Sequence, residues 1–389
     1  MHVEEFTEIF SPLDFIFSMV GTAKKAETGL ALLMSIILSP PKSLQGQTGL
    51  FEKDIHVSTF CRFLADSGIS NTGLLDKFRC KLVEWFDGNK KIYCIIDDTL
   101  AHKTGKELPR VHYDYDHTEG RTCLAQTAVV CLLKLGRKEA PFGMELYEKE
   151  KKKENGKKDQ KFKSKIDLAI GLVGEVLKFF KPEKVCVLFD RWYCNLKLIE
   201  SLPDGVAWVS RLKRNRIIFV GGQKMSLRSF ARGVKSWDYR KVSVGSQTYW
   251  CYELIVQVQK LGQVKIILTK GTKHSKEVDA ILVSNQLTES AAAIIHDYSQ
   301  SWSIEVSIRT FKQSLGFESI MVKSKKALRR YWTLIMLSFW LLSHLRGQWR
   351  RCCHTTGDVI RRLKKFSEGL RERIFPDIEN HVGGIFAKG

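Results

Sequence analysis

The sequence predicts an α/β protein in which a mixed sheet is flanked by helices, and three observations support this prediction. Two short runs, residues 91–99 and 185–193, are rich in the β-branched and apolar residues of buried strands. Residues 166–180 lie between these runs and have the apolar periodicity of a helix. Alternating and apolar runs recur between residues 217 and 285, which indicates a further β-rich segment.

The net charge points to the class of partner. The chain has 389 residues and a formal net charge of +21, and such an excess favours nucleic acid over a membrane surface. The charge is uneven, because residues 1–90 contain 9 Lys and Arg against 11 Asp and Glu, which leaves 54 against 31 for the rest of the chain. The basic surface therefore belongs to the central and C-terminal parts.

The cysteines and the apolar stretches indicate a cytoplasmic protein. Ten cysteines are scattered along the chain, and no Cys-x-x-Cys pair is present, which favours reduced core thiols. The apolar stretch 331–345 is 15 residues long, whereas a membrane span needs about 20. We therefore predict a buried core helix there and expect no membrane partner.

Carboxylates provide the chemical prediction. Asp97 and Asp98 end the first predicted strand, Asp190 ends the second, and Glu305 lies in a predicted helix over residues 298–315. A carboxylate at the end of a buried strand costs free energy unless it is paired or binds a metal. Oxygen ligands suit a hard divalent cation such as Mg²⁺. Three carboxylates can hold two such cations about 4 Å apart for phosphoryl transfer.

The predicted helix presents a second pattern. Tyr298 lies seven residues before Glu305, Arg309 four residues after it and Lys312 seven residues after it. Positions three, four or seven residues apart share one face of a helix. Taken alone, this pattern favours a solvated, salt-bridged face. The aspartates upstream change the interpretation, because they provide partners for a shared site.

These segments together resemble the DDE transposases of bacterial insertion sequences. Asp-Asp-Thr follows one strand, Asp-Arg-Trp-Tyr follows another, and a helical glutamate comes late in the chain. Tyr298, Glu305 and Lys312 fall on the signature Tyr-x2-Arg-x3-Glu-x6-Lys of the insertion-sequence-four group, whereas Ser301 stands where that group has arginine. The resemblance covers roughly residues 91–345.

The resemblance implies an RNase H-like core with a mixed, five-stranded sheet. A helical N-terminal domain that helps to bind transposon ends is expected in residues 1–90, although the pattern of residues 56–86 alone favours a plain pair of packed helices over a helix-turn-helix. The other expected parts are the first half of the core in residues 91–213, a β-rich insertion in 214–287, the second half of the core in 288–345, and a basic helical tail on the surface in 346–389.

The resemblance also implies the catalytic residues and their cofactor. Asp97, Asp190 and Glu305 are expected to hold two Mg²⁺ ions, with Mn²⁺ as a substitute. Asp98 is the alternative to Asp97. Asp97 is preferred because it stands two residues before Thr99, as in the family's Asp-x-Thr pattern. No covalent protein–DNA intermediate is needed, so no nucleophilic side chain is predicted.

Several cations are candidates for DNA contacts. Tyr298 and Lys312 are expected to hold phosphates near the scissile bond, and Arg309 or Arg191 is expected to replace the cation missing at position 301. The loop with Lys103 and Lys106 fits phosphate positioning and a solvated turn equally well. The charged run 148–165 is predicted to be a solvated loop that touches DNA without sequence preference. Residues 113–117 are rich in Asp and His; a polar turn is favoured there over metal ligation.

The function predicted from these observations is cut-and-paste DNA transposition. The partners would be transposon ends and target DNA, bound by a homodimer or larger assembly at the nucleoid. Two alternatives stay open: a metal-dependent nuclease of the same fold that does not join strands, and a non-catalytic DNA-binding relative. Ser301 supports the last alternative, and the three intact carboxylates oppose it.

Overall fold

A computed structural model of the chain describes residues 3–17, 20–39, 43–51, 55–66, 68–88, 90–150, 162–368 and 374–387. Within these ranges a single mixed sheet of 12 strands is flanked by helices, which confirms the predicted α/β class. The strand order along the main path is β2-β3-β1-β5-β6-β12-β11-β10-β7-β8, with β4 paired to β3 and β9 paired to β10.

Helices precede the first strand. They are α1 (Val3–Phe10), α2 (Asp14–Phe17), α3 (Ala23–Leu38), α4 (Leu44–Gln47), α5 (Val57–Ala65) and α6 (Asn71–Trp85). Side-chain oxygens cap the N-termini of α3 and α6. Thr22 accepts a hydrogen bond from the Lys25 amide, and Ser70 accepts one from the Gly73 amide. Their apolar faces pack into the main hydrophobic core.

The first half of the sheet follows. Its elements are β1 (Ile92–His102), β2 (His112–Asp116), β3 (Arg121–Leu135), β4 (Lys138–Tyr147), α7 (Lys165–Leu177), β5 (Val185–Phe189), α8 (Leu196–Glu200) and β6 (Ala207–Arg211). Strand β1 is antiparallel to β3 and parallel to β5, and β5 is parallel to β6. Because β1, β5 and β6 run parallel, the pairing of β1 with β5 ends at Ile96 and Phe189, and the pairing of β5 with β6 ends beside it at Phe189 and Ser210.

The β-rich segment continues the same sheet. Its elements are β7 (Ile217–Val220), β8 (Gln223–Ser226), α9 (Leu227–Gly233), β9 (Arg240–Val244), β10 (Gln247–Val258), β11 (Gly262–Lys270) and β12 (Ala280–Ser284). Strand β12 pairs with β6, so the segment extends the core sheet well beyond the five strands expected from the resemblance.

Five helices complete the described chain: α10 (Ala291–Ser299), α11 (Trp302–Gln313), α12 (Lys325–Gln348), α13 (Thr356–Glu368) and α14 (Ile374–Phe386). The apolar stretch 331–345 lies in α12 and is buried almost throughout, which confirms the predicted core helix. Among the helices of the described ranges, none combines the length and apolar character needed to cross a membrane.

Four local predictions are wrong. Strand β1 does not end at the aspartates but continues to His102, because β3 pairs with it over its whole second half. Residues 112–116 form an edge strand rather than a turn. Helix α14 packs against α1 and α3 instead of lying on the surface, and its Ile378 and Val382 are fully buried. The helix expected over residues 298–315 is interrupted.

The predicted solvated loop at 148–165 falls mostly on residues 151–161, which lie outside the described ranges.

Candidate catalytic carboxylate site

Asp97 and Asp190 lie beside each other because the strands that lead to them run parallel. The pairing of β1 with β5 ends at Ile96 and Phe189, and each aspartate is the next residue. Parallel strands end at the same edge of a sheet, which is where α/β proteins gather functional groups. Strand β1 continues through Asp97 to His102, so extended backbone rather than a loop holds this carboxylate.

Asp97 and Asp98 point to opposite faces of the sheet, since successive residues of a strand alternate. The Asp98 carboxylate accepts hydrogen bonds from Lys165 Nζ at 2.7 Å and from the Tyr193 hydroxyl at 2.9 Å. An ion pair and a hydroxyl therefore neutralise and satisfy Asp98. Asp97 accepts a hydrogen bond only from the Asp98 amide, at 2.9 Å, among the described residues.

The electrostatics of Asp97 show which carboxylates it faces. Burial is the largest cause that raises the pKa of Asp97, which reaches about 7. The negative charges of Asp98, Asp190 and Glu305 act in the same direction, and the Asp98 amide opposes them. The structure therefore brings Asp97, Asp190 and Glu305 within electrostatic reach of one another.

Asp190 begins a tight turn after β5. Its Oδ1 accepts hydrogen bonds from the Trp192 amide at 2.6 Å and the Tyr193 amide at 3.3 Å. This turn fixes the carboxylate by its own backbone and leaves Oδ2 without a hydrogen-bond donor from the described chain. The Asp190 side chain is exposed, so a ligand at the sheet edge can reach this oxygen.

Glu305 lies in the first turn of α11, and this helix is not continuous with α10. The amides of residues 300, 301, 303 and 304 each donate to the carbonyl three residues earlier, which tightens the chain into a 3₁₀-type turn between the two helices. Tyr298 therefore belongs to α10, whereas Glu305 and Lys312 belong to α11. Tyr298 and Glu305 therefore do not belong to one continuous helix.

A buried hydrogen-bond network fixes the start of α11. Ser303 Oγ donates to Glu139 Oε1 at 2.9 Å, and Lys134 Nζ lies 2.5 Å from Ser303 Oγ and 2.9 Å from Glu139 Oε1. These contacts join β3 and β4 to the helix two residues before Glu305. They position the Glu305 backbone relative to the sheet that carries the aspartates.

Tyr298 lies at the same edge, close to a cation that the sequence patterns did not single out. Burial is the largest cause that raises the pKa of the Tyr298 hydroxyl, which reaches about 12. The positive charge of Arg211 and a hydrogen bond from Ser301 lower this pKa, and the carboxylates of Asp190 and Glu305 raise it. Arg211 is the last residue of β6, where Ser210 pairs with Phe189 of β5, so a strand-by-strand alignment of the sheet could have found it.

Two of the predicted DNA-binding lysines are engaged with the protein. Lys103 is buried, and its ammonium donates to the carbonyls of Glu318 at 2.7 Å and Ile320 at 2.9 Å. Burial lowers the pKa of Lys103 to about 8. This side chain ties the chain after α11 to the end of β1, and a phosphate has no access to it. Lys312 is partly exposed and forms an ion pair with Glu318 at 3.1 Å.

The other predicted cations are accessible. Lys106, Arg191 and Arg309 are exposed, and none of them forms an ion pair or side-chain hydrogen bond with another described residue. Arg191 directly follows Asp190, and Arg309 lies one helical turn after Glu305. These two side chains are placed to meet an anion at the carboxylate edge.

The carboxylate set fits a divalent cation. Among the described residues, no lysine or arginine forms an ion pair with Asp97, Asp190 or Glu305, although Asp98 beside them has Lys165. Burial and the neighbouring carboxylate charges together raise the pKa of Asp97, and a cation between the carboxylates would oppose both effects. Oxygen donors of this kind suit Mg²⁺ or Mn²⁺.

Two protein-family models match the chain. One, described as a DDE superfamily endonuclease, matches residues 16–247, which is more than half of the chain and includes both aspartates. The other, described as a transposase DDE domain, matches residues 170–341 and includes Asp190 and Glu305. No curated protein matches the chain at a significant level.

The raised pKa of Asp97 makes the stability of the metal-free protein depend on pH. An unfolded aspartate titrates near 3.8, whereas folded Asp97 titrates near 7. Between these values unfolding releases a proton, so the free energy of unfolding falls as the pH rises through this window. Asp97→Asn should remove this loss. The free energy of unfolding of the variant minus that of wild type should therefore be larger at pH 8 than at pH 4, by on the order of a few kcal/mol.

Urea denaturation in the presence of a chelator measures this difference. Asp204→Asn is the matched control, because Asp204 is exposed and precedes β6 at the end away from the carboxylates. An identical pH dependence for wild type, Asp97→Asn and the control would contradict the electrostatic description of the site.

Proposed function

The chain belongs to the DDE superfamily of endonucleases, and on this premise we propose that it is the transposase of an insertion sequence and catalyses cut-and-paste DNA transposition. The observation that carries the proposal is the convergence of Asp97, Asp190 and Glu305 at one edge of the sheet. The net charge of +21 supports a DNA substrate. We further propose that the protein acts in the cytoplasm, at the nucleoid.

We propose that Asp97, Asp190 and Glu305 hold two Mg²⁺ ions, which Mn²⁺ can replace. When bound, the cations supply an activated water and stabilise the leaving oxygen in phosphodiester hydrolysis. Asp98 is the weaker candidate for this set because Lys165 and Tyr193 already occupy its carboxylate. The 3′-hydroxyl freed by cleavage would then be the nucleophile of strand transfer, so no protein side chain forms a bond to DNA.

The side chains around the carboxylates would orient the DNA. The high pKa of Tyr298 keeps its hydroxyl protonated at neutral pH, so it can donate a hydrogen bond to a phosphate oxygen. Arg191 and Arg309 are exposed beside Asp190 and Glu305 and can pair with phosphates on either side of the scissile bond. Lys312 can do so once DNA competes with Glu318 for its ammonium.

We propose that the protein belongs to the insertion-sequence-four-like group and that Arg211 replaces the arginine of the group's signature. Ser301 occupies the signature position, and the charge of Arg211 acts on Tyr298. In this proposal strand β6 supplies the cation that the group has on the helix. Arg211 accounts for the substitution better than Arg309 or Arg191, because Tyr298 senses its charge.

The proposed assembly follows from the reaction. Two transposon ends must be cut and joined to one target, so at least a homodimer is expected in action. We propose residues 1–90 as the helical domain that helps to bind the ends and residues 214–287 as an insertion between the two halves of the catalytic core. The basic residues of the core would bind the DNA backbone.

If Arg211 replaces the signature arginine, an arginine restored at position 301 should compensate for the loss of Arg211. Arg211→Ala should lower the rate of DNA cleavage roughly 10- to 100-fold, which corresponds to about 1.4–2.7 kcal/mol of transition-state stabilisation. Ser301→Arg in the Arg211→Ala background should restore most of this loss. Lys213→Ala, which removes an exposed cation two residues further along, should change the rate less than twofold. An equal loss of cleavage rate in Arg211→Ala and Lys213→Ala, or no rescue by Ser301→Arg, would exclude this role for Arg211.

Cleavage of labelled duplex DNA that carries the end of the element tests the function itself. With Mg²⁺ or Mn²⁺, wild type should cut and Glu305→Gln should be inactive while it still binds the DNA. Glu289→Gln, an exposed glutamate outside the carboxylate set, should cut normally. Joined products with a target plasmid would support transposition, whereas cutting without joining would indicate a nuclease. Tight binding without cutting by wild type would indicate a non-catalytic DNA-binding protein.

A further inference from the structure

A second group of metal-binding side chains lies away from the carboxylate site. His102 ends β1, Asp116 ends β2 and Cys123 lies near the start of β3. One donor atom from each of these side chains lies within 4.8 Å of the other two. His102 and Asp97 are separated by an odd number of strand positions, so they point to opposite faces of the sheet. The two groups are therefore distinct.

Sheet register explains why these three residues meet. Ala125 of β3 pairs with His102 of β1 on one side and with His112 of β2 on the other. Cys123 is two positions from Ala125 and faces the same way. Asp116 pairs with Arg121, which also lies on this face. Three neighbouring strands thus contribute to one small, largely buried cluster.

The histidine lies between two carboxylates. His102 Nε2 is 2.8 Å from Asp116 Oδ2, and His102 Nδ1 is 3.6 Å from Glu119 Oε1. A neutral imidazole has one N–H group and can donate to only one of them. The lone pair of the other nitrogen then faces a carboxylate oxygen. A cation bound between Nε2 and Oδ2 would use both this lone pair and the carboxylate oxygen.

The carboxylate is oriented by the backbone. Asp116 Oδ1 accepts hydrogen bonds from the Thr118 amide at 2.7 Å and the Glu119 amide at 3.2 Å. Oδ2 is therefore directed at the histidine and the cysteine. Metal-binding histidines commonly donate their second N–H to a carboxylate or carbonyl that fixes the ring. Glu119 occupies this position relative to His102.

We propose that His102 Nε2, Asp116 Oδ2 and Cys123 Sγ bind a Zn²⁺ ion, with Glu119 as the carboxylate that orients the histidine ring. One nitrogen, one oxygen and one sulfur donor suit Zn²⁺ and exclude the hard cations expected at the catalytic site. Zinc–ligand bonds of about 2.0–2.3 Å require donors roughly 3.3–3.8 Å apart. The His102–Asp116 pair needs to open by about half an ångström, and a water molecule can complete the tetrahedron.

Such an ion would fasten the edge of the sheet. Strand β2 is the outermost strand on this side and pairs only with β3 among the described strands. The ion would tie the ends of β1 and β2 to β3 by bonds other than the backbone ladder. Lys103, next to His102, already ties this end of β1 to the chain after α11. Metal binding would therefore raise the stability of the folded protein.

Metal content and Co²⁺ spectroscopy of the full-length protein test the proposal. Wild type should bind about one equivalent of Zn²⁺ after dialysis, and Co²⁺ in its place should give the charge-transfer absorption of one thiolate ligand. Cys123→Ser should lose this absorption and bind Zn²⁺ at least roughly tenfold more weakly. Cys251→Ser, which removes another buried strand thiol, should behave as wild type. Absorption that persists in Cys123→Ser would place the metal elsewhere and overturn the proposal.

A measurement on wild type covers the case in which Cys123→Ser does not fold. Zinc X-ray absorption should show a single sulfur ligand near 2.3 Å, and His102→Gln should lose the thermal stabilisation that Zn²⁺ gives to wild type. Two sulfur ligands would point to Cys352 and Cys353 instead. Absence of stoichiometric Zn²⁺ from folded wild type would overturn the proposal.

Discussion

The placement of carboxylates without a counter-charge at the end of the β1–β5 pairing is the constraint on which the rest of the site depends. Asp97 is buried enough to titrate near 7, and it senses the charges of Asp190 and Glu305. A folded chain keeps such groups together only if the surrounding structure fixes them. Here each carboxylate has its own support: a continuous strand for Asp97, a tight turn for Asp190 and a network through Ser303 for Glu305.

The neighbouring Asp98 lies on the other face of the sheet and has a counter-charge. Lys165 and Tyr193 satisfy this carboxylate, so this partly buried charge is paired within the protein and needs no ligand. Two adjacent residues of one strand thus have opposite electrostatic roles. The difference arises from the side chains on the two faces of the sheet. Asp98 has a lysine and a tyrosine beside it, whereas among the described residues Asp97 has no cation as a partner.

The sequence was sufficient for features that depend on local pattern. The buried strands before Asp97 and Asp190, the helix with Glu305 and the buried α12 follow from runs of apolar residues and their periods, whereas the parallel pairing of the two strands was not predicted. The helix interruption after Tyr298 was not predictable in this way, because residues 300 and 301 keep helical backbone angles and only their hydrogen bonds change.

Features that depend on tertiary contact were also missed. Strand β4 contains Pro141 and Gly143, which weaken a strand pattern, and its pairing with β3 compensates for them. Lys103 was predicted to lie in an exposed loop, but its ammonium donates to the carbonyls of Glu318 and Ile320, which follow α11. Arg211 lies near Tyr298 because β6 pairs with β5, and this pairing is a long-range contact that a local pattern does not contain. The domain boundaries stay a prediction.

The most direct test of the central claim is the number of protons released when Mn²⁺ binds to the carboxylate site. Calorimetric titrations at pH 6.5 in buffers of different ionisation enthalpy measure this number. The protein would carry Cys123→Ser, so that metal binding at the cluster of His102, Asp116 and Cys123 does not contribute. If Asp97, Asp190 and Glu305 share the cation, binding should displace a substantial fraction of one proton from Asp97, and Asp97→Asn should abolish the release. Mn²⁺ binding without proton release, or equal release from Asp97→Asn, would contradict the account.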